Sequence, residues 1–247
     1  MRAQGLAVCV LVLLAAVGCT SRKKLVYFQG EAGPGVASYQ PVFKSDDLLS
    51  ITVMDLDPEA TRPFNIPLTG ISQNQGGYSQ GAPSPPGYLV DSEGNIDFPV
   101  IGKIRMAGLS RSAAVDTLKA RLKPYLGHPT LLVRILNFKV TVLGEVRNPG
   151  TFTIPNERIT LPEALGIAGD LQITGVRNEV TVIRDVDGKK TETKVDLTSK
   201  ELFSSPVYYL NQNDIVYVAP NRAKVNSSVV NTANVSLVVS VISLLVT

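Results

Sequence analysis

The sequence predicts an α+β protein in which two small mixed domains precede a long apolar helix at the C-terminus. Three observations predict this class. Strand-like runs of β-branched residues, separated by Gly, Pro and Asn turns, surround a single helix, and this arrangement occurs twice along the chain. The stretch from Val225 to Thr247 contains no charged side chain. A length of 247 residues is enough for two such domains, each with its own core.

Composition excludes several functional classes. The 24 Lys and Arg and 21 Asp and Glu residues leave a net charge of only +3, with no basic stripe that would neutralise a phosphate backbone, so we do not expect nucleic acid as a partner. One histidine, His128, and two cysteines, Cys9 and Cys19, are too few for a zinc site. No serine lies in a nucleophile-elbow motif. We therefore expect no enzyme, no metal and no cofactor, and we interpret His128 as a polar turn residue.

Residues 1–18 have the pattern of a lipoprotein signal peptide. Their apolar run from Leu6 to Val17 is too short to span a bilayer as a mature helix. The run ends in Ala16-Val17-Gly18-Cys19, which resembles the bacterial lipobox. We expect Cys19 to be acylated and residues 19–38 to form a lipidated tether. The alternative is an ordinary signal peptide that contains an incidental cysteine.

The first domain is predicted to occupy residues 39–137. A Gly- and Pro-rich stretch at residues 58–87 interrupts it, and we predict a long loop there. Ser110 or Ser112 is expected to cap the only helix of this domain. The other predicted features are a strand at 48–54, a hairpin of 88–90 with 96–101, inward-facing helix positions Ala114, Leu118, Leu122 and Tyr125, and a strand at 131–135.

The second domain is predicted to occupy residues 138–221. Thr160-Leu161-Pro162-Glu163 has the pattern of a capping box and predicts a short helix that ends at Gly169. Two strands precede this helix and three follow it, an order that favours a β-grasp-like sheet around one helix. The predicted strands are 140–146, 151–154, 180–186, 191–197 and 214–220.

The C-terminal segment, residues 225–247, is predicted to be an amphipathic transmembrane helix. At 1.5 Å per residue it would be about 34 Å long, enough to cross a hydrocarbon core about 30 Å thick. Arg222 and Lys224 would mark its boundary with water. A narrow row of hydroxyl side chains recurs along it at helical period, and we predict that this row lines a pore: Ser228, Thr232, Ser236, Ser240, Ser243 and Thr247.

The hydroxyl row indicates how such helices assemble. A single helix surrounded by lipid has no need of a polar stripe, whereas a ring of helices can turn the stripes inward around water. The pattern therefore favours an oligomeric α-helical barrel. A simple tail anchor, a buried core helix and a barrel strand remain as alternatives.

The chain resembles the outer-membrane polysaccharide export family, the Wza-like lipoproteins of capsule and exopolysaccharide secretion. Residues 39–51 and 87–133 are similar to the polysaccharide export domain, and residues 140–220 to the SLBB β-grasp module, most specifically at Gly144-Glu145-Val146-Arg147-Asn148-Pro149-Gly150. The family commonly has Gly-Asp where this chain has Asp46-Asp47 and Asn213-Asp214. The resemblance implies an outer-membrane location, homo-oligomeric rings that are commonly octamers, polysaccharide cargo, and an inner-membrane polysaccharide co-polymerase or tyrosine kinase as partner.

The leading hypothesis is a passive channel: lipid-anchored subunits in the outer membrane form a ring through which polysaccharide leaves the periplasm. The alternative is a periplasmic glycan-binding lipoprotein whose C-terminal helix is only an anchor. A glycan hydrolase would require two carboxylates at a fixed separation in a cleft, and no spacing in the sequence indicates such a pair.

Overall fold

The structure is a computed structural model that describes residues 25–31, 33, 39–66, 86–186 and 188–229. Within these ranges the α+β class is confirmed. The elements of the first domain are β1 (Leu48–Met54), α1 (Pro58–Thr61), β2 (Tyr88–Leu89), β3 (Asn95–Phe98), β4 (Gly102–Arg105), α2 (Arg111–Leu122) and β5 (Thr130–Ile135). They form a three-stranded antiparallel sheet of order β2-β1-β5, a separate β3-β4 hairpin and one long helix, α2.

Helix α2 begins where the sequence predicts. The hydroxyl oxygen of Ser110 accepts a hydrogen bond from the amide of Ala113, and Ser110 is therefore the N-cap. Ala114, Leu118 and Leu122 are fully buried in the first core, and each leucine contributes about 1.5–3 kcal/mol by its burial. The inward position predicted for Tyr125 is wrong, because the helix ends at Leu122 and the Tyr125 side chain is 54% exposed.

The predicted hairpin of 88–90 with 96–101 is also wrong. Tyr88–Leu89 pairs with β1, whereas Asn95–Phe98 pairs with Gly102–Arg105. Pro99 has no amide hydrogen with which to continue a ladder, and Val100 and Gly102 have φ of 67° and 80°, so the chain turns directly after β3. The sequence has a turn signal on each side of β3. The turn before β3 connects it to β2, and the turn after β3 forms the hairpin with β4.

The long loop predicted for 58–87 is partly folded. Asp57 caps the short helix α1, and a 3-10 turn at Arg62–Phe64 places Phe64 in the first core. The side chain of Asn65 then pairs with the backbone of β1: its oxygen accepts from the amide of Val53 at 2.8 Å, and its nitrogen donates to the Val53 carbonyl at 2.9 Å. This segment is therefore attached to the sheet through Asn65. Residues 67–85 of the predicted loop lie outside the described residues.

The elements of the second domain are β6 (Lys139–Gly144), β7 (Gly150–Thr153), β8 (Ile159–Thr160), α3 (Leu161–Ile167), β9 (Gly175–Val186), β10 (Lys189–Val195), β11 (Tyr209–Leu210), β12 (Ile215–Pro220) and α4 (Arg222–Val229). They form a five-stranded mixed sheet of order β10-β9-β12-β6-β7 and a small β8-β11 sheet. β12 and β6 are parallel, and the other pairs are antiparallel. The 3-10 turn at Lys200–Ser204 and the β8-β11 pair were not predicted from the sequence.

The capping box of α3 is confirmed. The Thr160 hydroxyl oxygen accepts from the Glu163 amide at 3.3 Å, and the Glu163 carboxylate accepts from the Thr160 amide at 2.7 Å. Leu161, Ala164 and Leu165 of α3 are buried in the second core together with the valines of β6, β9 and β12. One helix thus covers one face of the sheet, as the β-grasp prediction requires.

Part of the predicted tether is docked on the second domain. The Phe28 amide donates to the Leu197 carbonyl at 3.1 Å, and the Gln29 amide donates to the Thr198 carbonyl at 2.6 Å. The rings of Tyr27 and Phe28 pack against the second core. We call residues 26–29 the N-terminal strap. Residues 26–29, which belong to the predicted tether of 19–38, are therefore held against the second domain.

Two amide side chains join the domains. Asn137 belongs to the connection between β5 and β6, and its side chain accepts from the Leu48 amide at 2.9 Å and donates to the Asp46 carbonyl at 2.8 Å. Gln212 of the second domain accepts from the Lys139 amide and donates to the Asn137 carbonyl, both at 2.7 Å. Ile135 packs against both cores. The connection is thus held from both sides.

Candidate functional site

The structure describes only a few of the residues predicted to be functional. Arg222 and Lys224 lie in the first turn of α4, and Ser228 is in the same helix. No helix among the described residues is long and apolar enough to cross a membrane. The remaining predicted site residues lie outside the described ranges: Cys19, Thr232, Ser236, Ser240, Ser243 and Thr247.

Helix α4 starts directly from the central strand of the second sheet. Asn221 follows β12, and its side-chain oxygen accepts from the Lys224 amide at 2.9 Å, as an N-cap does. The Asn221 amide donates to the Thr174 carbonyl at 2.7 Å, which fixes the first turn of α4 to the loop before β9. Every side chain from Arg222 to Ser227 is exposed. The side chains from Arg222 to Ser227 therefore cover none of the domain core as the helix leaves it.

The Gly144 to Gly150 motif holds this exit in place. Gly144 has φ of 90°, and a Cβ there would lie 2.0 Å from the Val218 carbonyl oxygen, so no other residue fits. The next residue, Glu145, donates its amide to the same carbonyl at 2.9 Å and accepts from the Gln172 amide at 2.9 Å. The Gln172 side chain donates to the Val146 carbonyl at 3.0 Å. The motif thus fixes the loop before β9 against β12.

A buried arginine joins this loop to the N-terminal strap. Arg177 is 8% exposed, and its guanidinium donates to the carbonyls of Gly175 at 3.1 Å and Gln172 at 3.3 Å. The same guanidinium lies over the Tyr27 ring, 5.6 Å from its centroid. The Tyr27 hydroxyl donates to the Asp170 carboxylate at 2.7 Å. Burial, and then this hydrogen bond, raise the pKa of Tyr27 to about 12, so the hydroxyl remains a donor at neutral pH.

These contacts bring both ends of the described chain to one place. We define the anchoring end as the loop Asp170–Gly175 together with Tyr27, Arg177 and Asn221. The strap runs from Gln29, which pairs with Ser199, back to Tyr27, which binds Asp170 at this end. α4 begins at the same end. Sequence reasoning missed Tyr27, Asp170 and Arg177, since Tyr27 is 143 residues from Asp170. The available signal was the aromatic pair Tyr27-Phe28 beside a Gly-rich stretch.

Two turns at the domain junction contain the positions where the family commonly has Gly-Asp. This chain has Asp46-Asp47 in one turn and Asn213-Asp214 in the other. Asp46 and Asn213 have φ of 69° and 64°, the left-handed region in which glycine is unstrained. The aspartates that follow them, Asp47 and Asp214, are each 1% exposed. Asn and Asp occupy this region more readily than other residues with a side chain. The turn conformation is therefore kept without glycine.

One cavity at the domain junction lacks the pair of carboxylates that a glycan hydrolase needs. A cavity of about 420 Å³ opens along the junction, and Glu157 is the carboxylate in its described lining. Glu157 is paired with Arg111 of α2 at 2.7 Å. Across the described ranges, no three His, Cys, Asp or Glu side chains are grouped to hold a metal ion. A second carboxylate at the separation that glycoside hydrolysis needs is not part of this lining.

Comparison with known proteins agrees with the two-domain organisation. A family model described as polysaccharide biosynthesis/export protein matches residues 36–136, and a model of the SLBB domain matches residues 138–218. The chain is 31% identical over 180 residues to the "EPS I polysaccharide export outer membrane protein EpsA" of Ralstonia solanacearum. This alignment covers 71% of this chain and 47% of that protein. The protein of the same name from Ralstonia nicotianae is 34% identical over 148 residues, 58% of this chain and 38% of the relative.

The aligned part spans less than half the length of either relative. The two family models together nevertheless extend from residue 36 to residue 218, through both cores and the junction. Their order is the one that the sequence resemblance implies, with the export domain first and the β-grasp module second. The chain belongs to the Wza-like polysaccharide export family with an SLBB module.

Proposed function

We propose that this chain is a subunit of an outer-membrane channel that exports capsular polysaccharide or exopolysaccharide. The relatives carry polysaccharide export and the outer membrane in their names. The activity is transport: the protein forms a path for polymer and breaks no bond. The observation that carries this proposal is the exit of α4, which leaves the central strand of a firmly packed domain with all of its described side chains exposed from Arg222 to Ser227.

The helix that starts at Arg222 continues, in this proposal, through the apolar and uncharged residues 225–247 into the membrane. Several copies form a helical barrel, with Arg222 and Lys224 at the water boundary. The hydroxyl row from Ser228 to Thr247 lines the pore. Short hydroxyl side chains exchange hydrogen bonds with sugar hydroxyls. Because each of these contacts is weak, the pore does not trap a moving polymer.

Cys19 is acylated in this proposal and provides a second attachment to the same membrane. The docked strap supports this arrangement, since Tyr27 and Asn221 lie at the same anchoring end of the second domain. Polymer enters from the periplasmic side, delivered by an inner-membrane co-polymerase. Imaging of detergent-extracted protein measures the subunit number, and a monomer without a central axis would contradict the channel.

The pore lining is tested by replacing Ser236 and Ser240 together with Leu. Two apolar side chains per subunit in the narrow lumen remove hydrogen-bonding sites and obstruct water, so surface polysaccharide should fall to background. The matched control replaces Val238 and Ile242 with Leu. These positions are each two residues further on, on the opposite side of the helix, and should leave export unchanged.

Both variants are compared at equal outer-membrane amount and equal ring assembly. Normal export by the Ser236→Leu/Ser240→Leu variant would contradict the pore lining. Deletion of residues 225–247 separates the channel from a glycan-binding lipoprotein, because Cys19 would still attach the truncated chain to the membrane. A channel loses all export in this deletion, whereas a binding protein retains glycan binding and its effect on export.

A further inference from the structure

We propose that the loop Gln172–Thr174 at the anchoring end touches the lipid surface of the outer membrane, with the Ile173 side chain inserted among the headgroups. This inference rests on the proposed function, since it assumes that α4 leads into the membrane. It adds a contact that neither the acyl anchor nor the terminal helix provides. The partner is a lipid surface that contains anionic headgroups.

The first observation is the position of Ile173 in its turn. The Gly175 amide donates to the Gln172 carbonyl at 2.9 Å, so Ile173 is the second residue of a four-residue turn. Proline and small polar residues are favoured at exposed turns. This turn instead has an aliphatic residue, Ile173, whose side chain is 69% exposed. A single exposed aliphatic residue is common on protein surfaces and carries no argument by itself. Its surroundings carry the argument.

The second observation is that the turn is rigidly held. The residue before Ile173, Gln172, is bonded through its amide to Glu145 and through its side chain to Val146. The residue after it, Thr174, accepts from the Asn221 amide at 2.7 Å and donates its hydroxyl to Glu145. Ile173 is thus presented outward by a fixed backbone, and its exposure is not the result of a loose loop.

The third observation is where the two membrane attachments leave the domain. α4 starts at Asn221, one hydrogen bond from Thr174. The strap reaches Asp170 through Tyr27, and Cys19 is six residues before Leu25. Six residues span at most about 22 Å when fully extended. An acyl chain on Cys19 and a membrane helix that begins at Arg222 would therefore hold this loop against the membrane surface.

The fourth observation is the charge of this end. Arg147, Arg222 and Lys224 are exposed around the loop. The nearby carboxylates are engaged within the protein: Asp170 accepts from the Tyr27 hydroxyl, and Glu145 accepts from the Thr174 hydroxyl. Exposed cations around an apolar tip are the features that bind a protein segment to an anionic lipid surface.

The experiment uses the absence of tryptophan from the whole sequence. Ile173→Trp in the full, acylated chain introduces a single reporter at the tip of the loop. The protein is reconstituted into vesicles of phosphatidylethanolamine and phosphatidylglycerol, with and without bromine on the acyl chains near the headgroups. Leu56→Trp is the matched control, because Leu56 is 95% exposed and belongs to the first domain.

We expect Ile173→Trp to lose about half or more of its emission in brominated vesicles, since interfacial side chains are buried about 5–10 Å deep. Leu56→Trp should keep its emission. If Ile173→Trp is quenched no more than Leu56→Trp, the loop does not touch lipid and the proposal is wrong. Emission from the Ile173→Trp variant that is blue-shifted but unquenched would show that a second protein copy covers the loop, and this also overturns the proposal.

A third reporter separates this failure from failure of the proposed function. Val238→Trp lies on the apolar side of the terminal helix, about 20 Å along it from residue 225 and so near the bilayer centre. For this reporter the bromine is placed near the ends of the acyl chains, and the reporter is quenched if that helix is in the membrane. Quenching of Val238→Trp without quenching of Ile173→Trp removes only the loop contact. Quenching of Ile173→Trp without quenching of Val238→Trp supports the loop contact and removes the membrane helix. If neither is quenched, both proposals are wrong.

Discussion

Two turns of the same construction, one in each domain, solve the burial of an aspartate in different ways. In the first turn the Asp47 carboxylate accepts from the Lys44 amide at 2.8 Å, and in the second the Asp214 carboxylate accepts from the Asn211 amide at 2.7 Å. Each aspartate is 1% exposed and directly precedes a strand, β1 or β12. The backbones of the two turns are therefore equivalent, but the two carboxylates differ in the charged groups around them.

Asp214 has a cation partner. The guanidinium of Arg184 donates to both carboxylate oxygens, at 2.7 Å to Oδ2 and 3.1 Å to Oδ1, and also donates to the Tyr209 carbonyl at 3.0 Å. In the described part of the chain no ion pair reaches Asp47, and its Oδ1 has no hydrogen-bond partner. Burial raises the pKa of Asp47 to about 6, although the Lys44 backbone and charge lower it and Asp46 adds to the increase.

The difference teaches that a turn motif specifies a backbone and does not specify the charge balance of the buried group. The second turn leads into the central strand β12, and a charged pair locks it there. The first turn leads into β1, and the Asn137 side chain binds its backbone without bringing a cation. We therefore expect the stability of the first domain to depend on pH through Asp47.

The largest expected effect is at the paired turn. Arg184→Met leaves a buried carboxylate without its cation, and breaking a buried ion pair costs about 3–5 kcal/mol. The free energy of unfolding of the second domain should fall by this amount in urea titrations that follow hydrogen-exchange protection of β9 and β12. The control Lys190→Met removes an exposed ion pair with Asp185 in the same hairpin and should have no measurable effect. Equal losses in the two variants would contradict the assigned role of Arg184.

The second effect is the pH dependence that Asp47 contributes to the first domain. Its folded-state pKa of about 6 is above the ordinary 3.8, so the folded state binds the proton more tightly and is favoured at low pH. Stability of the first domain should therefore decrease as pH rises from about 4 to about 6, by up to about 3 kcal/mol, and stay level above that.

Asp47→Asn tests this directly, since an amide oxygen can still accept from the Lys44 amide. The variant should be more stable than the parent at pH 7 and should equal it near pH 4. Asp214→Asn is the matched substitution in the other turn, and it should destabilise the protein at pH 7 because Arg184 loses its charge partner. A parent protein whose first-domain stability is flat from pH 4 to pH 7 would contradict the buried, unpaired state of Asp47.

The smallest effect concerns the left-handed residues. Asp46→Gly and Asn213→Gly relieve the same backbone strain, and each should stabilise its domain by about 1 kcal/mol or less. The gain should be larger at 46, because Asn tolerates this conformation better than Asp. Asp46→Gly also removes a negative charge that raises the pKa of Asp47, so the midpoint of the pH dependence should shift to lower pH. Destabilisation by both substitutions, measured by urea unfolding, would contradict this account.

Local patterns predicted much of the fold. The capping box at Thr160, the cap at Ser110 and the strand Leu48–Met54 were all correctly predicted, because each depends on residues within a few positions of one another. Two of the errors in the first domain, the hairpin and the loop at 58–87, have the opposite cause. The partner of Tyr88–Leu89 is β1, about forty residues earlier, and Phe64 is ordered by burial in a core formed from distant strands.

The candidate site also has features that the sequence predicted and features that it did not. The importance of the Gly144 block could be inferred from the sequence, but the reason for it could not, since the atom that excludes a Cβ at 144 is a carbonyl oxygen of Val218. The role of Tyr27 depends on Asp170 and Arg177, which no spacing connects to it. Contacts of this kind leave no periodic signal in the chain.

The sequence by itself determined the two-domain α+β organisation, the turns that start β1 and β12, and the uncharged segment after Lys224, because hydrophobic periodicity, turn chemistry and charge are local properties. Only the tertiary structure decided that Asp214 receives an arginine while Asp47 does not, and that the strap and the start of α4 lie at one end of the second domain. These outcomes depend on pairings between residues far apart in the chain, and such pairings exist only after the two cores have packed.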